Sequence, residues 1–248
     1  MADEDTLVTS GSPPAGGLTR LAAWLGGAAF AGSLAYCARF LAVTLQQSAP
    51  WTGTGAAVRA VVVDLGLFGL FAVHHSLLAR PALKSRLAAA VGSKRERPLY
   101  VWSASLLLVL TCAAWQSVPG AFPPVAEPAA WLLRVVEAAG ILLTAVSARV
   151  IDPLELAGIR QLDQPEAHAP IQARGPYRWV RHPIYLGWML FVFAAPHLTM
   201  NRLLFAVVSS AYLVVAIPWE ERSLVRTFGE EYRAYQRRVR WRVVPGVY

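Results

Sequence analysis

The sequence predicts an all-α fold. It reads as a polytopic membrane helix bundle with five to six transmembrane helices, the last two a tight hairpin, and a C-terminal amphipathic helix. Three observations carry this expectation. The chain of 248 residues is 56% hydrophobic and only 15% charged, where a soluble domain has about a quarter charged residues. The charges collect in the gaps between six apolar segments, which is the membrane pattern. Every second gap is rich in Lys and Arg.

The N-terminus, MADEDTLVTSGSPPAGG, is acidic and then rich in Ser, Pro and Gly. Residues 1–18 read as a disordered tail, without the basic start and cleavage site of a signal peptide. Residues 19–248 read as one membrane domain. Its first apolar segment spans 20–46 and is interrupted by Arg39. The second spans 58–79 and contains Asp64, His74 and His75; Arg39 and Asp64 are a possible pair between these two. The third spans 99–117, and the fourth spans 129–151 with Arg134, Glu137 and Arg149 inside it. The fifth runs from Ile184 to Met200 and the sixth from Leu203 to Trp219, with only Asn201 and Arg202 between them. Both are short of the about 20 residues that cross a hydrocarbon core, so they are expected as a tight hairpin, tilted or not fully spanning.

The gaps set an orientation. Arg80, Lys84, Arg86, Lys94, Arg95 and Arg97 lie between segments two and three, whereas SVPGAFPPVAEPA, between three and four, has no Lys or Arg. Arg160, Arg174, Arg178 and Arg181 follow segment four, and a further basic run extends from Arg222 to Arg242. Both termini are therefore expected on the cytoplasmic side. The net charge of +8 points to anionic lipid headgroups rather than nucleic acid, because the basic residues flank apolar segments instead of forming one face of a soluble fold. Cys37 and Cys112 sit inside apolar runs and read as small buried hydrophobes. No metal centre is expected.

The C-terminal stretch EERSLVRTFGEEYRAYQRRVRW places Leu224, Phe228, Tyr232 and Tyr235 at helical spacing, with Arg222, Arg226, Arg233 and Arg237 opposite. Such a helix lies on headgroups or forms a lid over a cavity. In RHPIYLGW (181–188), Pro183 suits a first helical position and makes His182 the residue at the cap. A helix start flanked by Arg181 and His182 is an anion site, and Tyr185 lies on the His182 face. The upstream GPYRW (175–179) supplies a turn. Glu220 and Glu221 close segment six, and an antiparallel hairpin returns them beside His182 to hold hydroxyls, a cation or Arg181. His74 and His75 stand near the cytoplasmic end of segment two, and Arg149, Asp152 and Glu155 crowd the end of segment four.

The pattern RGPYRWVRHPIYLGW followed by PWEERSLVRTFGEEYRAYQRRV resembles the C-terminal signature of the isoprenylcysteine carboxyl methyltransferase superfamily. The resemblance implies S-adenosylmethionine as cofactor, held within 174–242 by Tyr177, Arg181, His182, Pro183, Tyr185, Gly187, Glu220, Glu221 and Tyr232. The stretches DLGLFGLFAVHHSLLARPALK and IDPLELAGIRQL resemble a narrower branch that contains the methanethiol S-methyltransferases and nurim, with His74 where that branch has glutamine and Asp152-Pro153 where it has Asn-His. The acceptor implied is a small thiol such as methanethiol. A lipid-like, isoprenylcysteine-type carboxylate is the alternative, and a non-catalytic nurim-like membrane protein is a reading of another class. A thiol must lose a proton, since the thiolate is the nucleophile. His75 or Glu155 is placed to take it, or an electropositive pocket beside Arg149 lowers the thiol pKa.

Overall fold

A computed structural model describes residues 16–78, 80–151, 154, 157, 159–160 and 171–248. Most of the expected tail, and Asp152, Pro153 and Glu155, lie outside the described residues. Helix α1 covers Gly17–Arg39 and continues as a π-helical turn over Phe40–Thr44. Then follow α2 (Thr54–Leu78), α3 (Pro81–Val91), α4 (Ser93–Ala113) and α5 (Ala129–Ile151). A 3₁₀ turn at Gly175–Arg178 leads to α6 (Pro183–Phe193), α7 (Met200–Phe228) and α8 (Glu230–Arg238). Among the described residues there is helix and no strand beyond isolated bridges.

Four helices are long and apolar enough to cross a membrane: Gly17–Thr44, Thr54–Leu78, Ala129–Ile151 and Met200–Phe228. Their outward faces carry exposed Trp24, Leu34, Val62, Trp131, Leu142 and Val215. An apolar surface of that extent is what lipid covers. The protein is an integral membrane helix bundle.

The helices pack in a chain of neighbours: α1 on α4, α4 on α2, α2 on α7, α7 on α6 and α6 on α5. The core gathers where these meet. Phe205 of α7 stands at its centre, edge-on to Phe40 and Trp115 at 5.5 Å and to Phe68 at 6.0 Å. Cys37 and Cys112 are buried in the same cluster, as expected for small hydrophobes.

Two differences from the sequence reading matter for the site. The expected hairpin turn at Asn201-Arg202 lies instead at 194–199, and both residues belong to the first turn of α7. The reason is polar. Asn201 accepts from the Val118 N–H at 2.6 Å and donates to the Gln47 carbonyl at 2.8 Å. Buried Arg202 donates to Glu137 at 2.6 Å and to the Phe191 and Val192 carbonyls. These residues are anchors, not a loop. Second, α7 does not end at Trp219. It runs through Pro218 and both glutamates to Phe228, so Glu220 and Glu221 lie within a helix.

Helices α5 and α6 cross at two glycines. A Cβ on Gly140 would stand 2.6 Å from the Gly187 carbonyl oxygen, and one on Gly187 2.7 Å from the Gly140 oxygen. Backbones this close need glycine, the usual device for packing helices in lipid. The expected Arg39–Asp64 pair is absent among the described residues. Buried Asp64 accepts from the Gln116 N–H at 2.7 Å, and Arg39 is exposed.

Candidate active site

The stretch 180–182 runs beside the C-terminal segment. Val180 bridges to Trp241, the Arg181 N–H donates to the Trp241 carbonyl at 2.9 Å, and the His182 N–H donates to the Arg242 carbonyl at 2.8 Å. His182 then caps α6, with Pro183 at the first helical position. Proline removes an N–H that would have lacked a partner, so the boundary falls where the sequence places it.

From this start the side chains converge on α7. Arg181 donates to Glu221 at 2.6 Å, and both side chains are nearly buried, 7% and 6% exposed. Arg181 gives its remaining contacts to the carbonyls of Val239 and Arg240. Glu221 also meets His182 Nε2 at 3.3 Å, Gln236 at 3.3 Å and Arg242 at 3.2 Å. One buried carboxylate of α7 thus gathers two arginines, a histidine and an amide from the residues leading into α6, from α8 and from the C-terminal segment.

Glu220 is placed differently. Its side chain is 42% exposed. The Tyr185 hydroxyl donates to it at 2.7 Å, and His182 Nδ1 lies 3.7 Å away. The His182 and Tyr185 rings stack at 5.2 Å. The adjacent acids therefore have separate settings: Glu221 is locked inside, and Glu220 is oriented but open. An open, fixed carboxylate can accept hydrogen bonds from hydroxyl groups of a ligand.

Over this site folds α8. Leu224, Phe228, Tyr232 and Tyr235 share one cluster with Val239 and Ile171, so the amphipathic face seen in the sequence covers protein. The helix breaks at Gly229, whose φ of 57° is in the left-handed region that favours glycine. Tyr235 donates to the Tyr177 carbonyl at 2.8 Å. Burial pushes the Tyr235 phenol up to about 12 and raises Tyr177 and Tyr232 further, the latter also through Glu221. All three stay neutral at physiological pH. Between the end of α7 and this cover lies an open cavity of about 510 Å³, lined by Pro218, Glu221, Arg222, Val225, Arg226, Gln236 and Arg242.

The structure brings Tyr177, Arg181, His182, Pro183, Tyr185, Glu220, Glu221 and Tyr232 to one end of the bundle. Gly187 is close by in sequence but turns toward α5. His75 sits on α2, where its Nδ1 meets the Tyr100 hydroxyl at 2.9 Å and its ring stacks on Phe71. Arg149 is exposed at the end of α5. Among the described residues neither touches the His182 group. Three residues went unnoticed in the sequence. Gln236 and Arg242 complete the shell of Glu221. Tyr212 ties α7 to α2 by its hydrogen bond with Ser76 at 3.0 Å. The alternation of Val239, Trp241 and Val243 with Arg240 and Arg242 was the available signal for an extended segment.

Fold and site define an integral membrane protein with a polar cap built on its last helices. A family model described as the isoprenylcysteine carboxyl methyltransferase family matches residues 159–226. Methanethiol S-methyltransferase 2 of Bradyrhizobium diazoefficiens is 39% identical over 185 residues, covering 73% of this chain and 71% of the relative. Methanethiol S-methyltransferase of Mycobacterium tuberculosis is 38% identical over 190 residues, covering 73% and 77%. Nurim of Xenopus laevis is 30% identical, covering 61% and 58%. No solved structure gives a significant match. The chain belongs to the isoprenylcysteine carboxyl methyltransferase family, in the branch of the methanethiol S-methyltransferases and nurim.

Proposed function

We propose that this membrane methyltransferase takes its methyl group from S-adenosylmethionine and transfers it to methanethiol, giving dimethyl sulfide. The observation that carries the reading is the pairing of an open Glu220, oriented by Tyr185 and His182, with relatives that bear this activity in their names. The residues fit the cofactor. Glu220 suits ribose hydroxyls, and the ring faces of Tyr177, Tyr185 and His182 suit a sulfonium. When bound, the cofactor supplies an electrophilic methyl group.

The chain's own work is alignment and exclusion of water. The Glu221 shell fixes His182, and through it the Tyr185 ring, while Tyr232 and Tyr235 seal the cap. On the acceptor side His75, fixed by Tyr100, or Glu155 is assigned to take the thiol proton, with the positive charge of Arg149 biasing the thiol toward thiolate. The basic gaps support placing both termini, and this cap, on the cytoplasmic side. The test uses purified protein and S-adenosylmethionine labelled on its methyl group, offered methanethiol and a farnesylated cysteine in parallel. Label in headspace dimethyl sulfide is expected. Label only in the solvent extract would move the acceptor to a lipid carboxylate, and absence of cofactor binding would overturn the reading.

A further inference from the structure

Helix α7 is longer than a membrane crossing. Its 29 residues extend about 43 Å at 1.5 Å per residue, against a hydrocarbon core of about 30 Å. The outer turns at Asn201 and Arg202 are buried in the opposite cap, so the surplus length projects beyond Trp219. Exposed Trp219 and Trp179 fit the aromatic belt of that interface. The cavity beside Arg222, Arg226 and Arg242 therefore lies at headgroup depth.

Its charge is unbalanced. Glu221 is the one acid among its lining residues, and it is already held by Arg181. Arg242 is fixed by Glu221 and by the Tyr248 hydroxyl at 3.1 Å. Arg222 and Arg226 are exposed, one helical turn apart, and have no ion pair or hydrogen bond among the described residues. Pro218 and Val225 give the cavity an apolar side. At 100° per residue, Glu220 falls on the opposite face of α7 from Pro218, Arg222 and Val225. The cavity thus faces away from Glu220, the open carboxylate, and shares only the locked Glu221 and its shell with the site.

We infer that this cavity binds the phosphate of an anionic membrane phospholipid, gripped by Arg222, Arg226 and Arg242, with the acyl chains running down α7. Planar guanidinium groups match phosphate oxygens in pairs. The inference rests on the membrane placement and not on the methyl transfer.

The full chain would be titrated in detergent with phosphatidylglycerol and, separately, phosphatidylcholine, and bound lipid read by native mass spectrometry. Wild type is expected to prefer phosphatidylglycerol. A double Arg222→Ala/Arg226→Ala variant should bind it about thirtyfold more weakly, and Arg222→Lys/Arg226→Lys should keep most of the preference. The double alanine variant should still bind S-adenosylhomocysteine, which also reports its folding. Equal phosphatidylglycerol affinity in wild type and the alanine variant would overturn the inference. Displacement of the lipid from wild type by millimolar inorganic phosphate would overturn it in favour of a free-anion site. Loss of S-adenosylhomocysteine binding in variants that keep the wild-type melting temperature would overturn it in favour of a cofactor cavity.

Discussion

The two ends of the bundle are both closed by polar networks, but of opposite character. At one end the segments around residues 45–49, 116–125 and 194–202 are stitched mainly through backbone groups, with the single ion pair Arg202–Glu137 among them. Asn201 and Thr199 bind the Gln47 and Leu45 carbonyls, and Phe122, Val125 and Met200 donate to the Leu198, Pro196 and Gly120 carbonyls. These donors are spent within the chain. At the other end the network is made of charged side chains around Glu221, bordered by an open carboxylate and an open cavity. Backbone stitching builds a lid on the bundle. Charged side chains packed around a cavity build a site, because they are costly to bury and keep capacity for a ligand.

Substitutions separate the two ends. The largest effect is expected for Glu221→Ala. It strips the partner from buried Arg181 and should cost about 3–5 kcal/mol of stability, together with cofactor binding, read by thermal unfolding and calorimetry in detergent. Gly187→Ala comes next. Its methyl group would meet the Gly140 carbonyl and Thr144 across the α5–α6 contact, and it should cost about 1–3 kcal/mol by overpacking. Asn201→Ala leaves the Val118 N–H unsatisfied and should cost about 1–2 kcal/mol, with S-adenosylhomocysteine affinity unchanged; a loss of affinity would erase the distinction between the ends. Glu230→Ala breaks only exposed contacts to Arg237 and Arg233 and should leave the melting temperature where it was.

The sequence made the helical bundle legible because hydropathy and the basic gaps report directly on the solvent of each segment. Segment four coincides with α5 at both bounds. His182 and Pro183 mark the α6 boundary through local sterics, which are encoded in neighbouring residues. The hairpin was misplaced because Asn201 and Arg202 look like turn residues to any local rule. Only the partners Val118, Gln47 and Glu137, distant in sequence, make them anchors. The same limit hid Arg242 and Gln236, whose meaning depends on a carboxylate 21 and 15 residues away. The basic gap after α2 holds no apolar segment, yet α3 fills it, since the run PALKSRLAAAV has good helix formers after its proline.

The most direct test of the contrast between the ends is calorimetric binding of S-adenosylhomocysteine to Glu220→Gln and Asn201→Ala beside wild type. Glu220→Gln should weaken binding about tenfold with little change in stability, while Asn201→Ala should bind as wild type does. Wild-type affinity in Glu220→Gln, or a loss confined to Asn201→Ala, would contradict the assignment of the ligand site to the charged end.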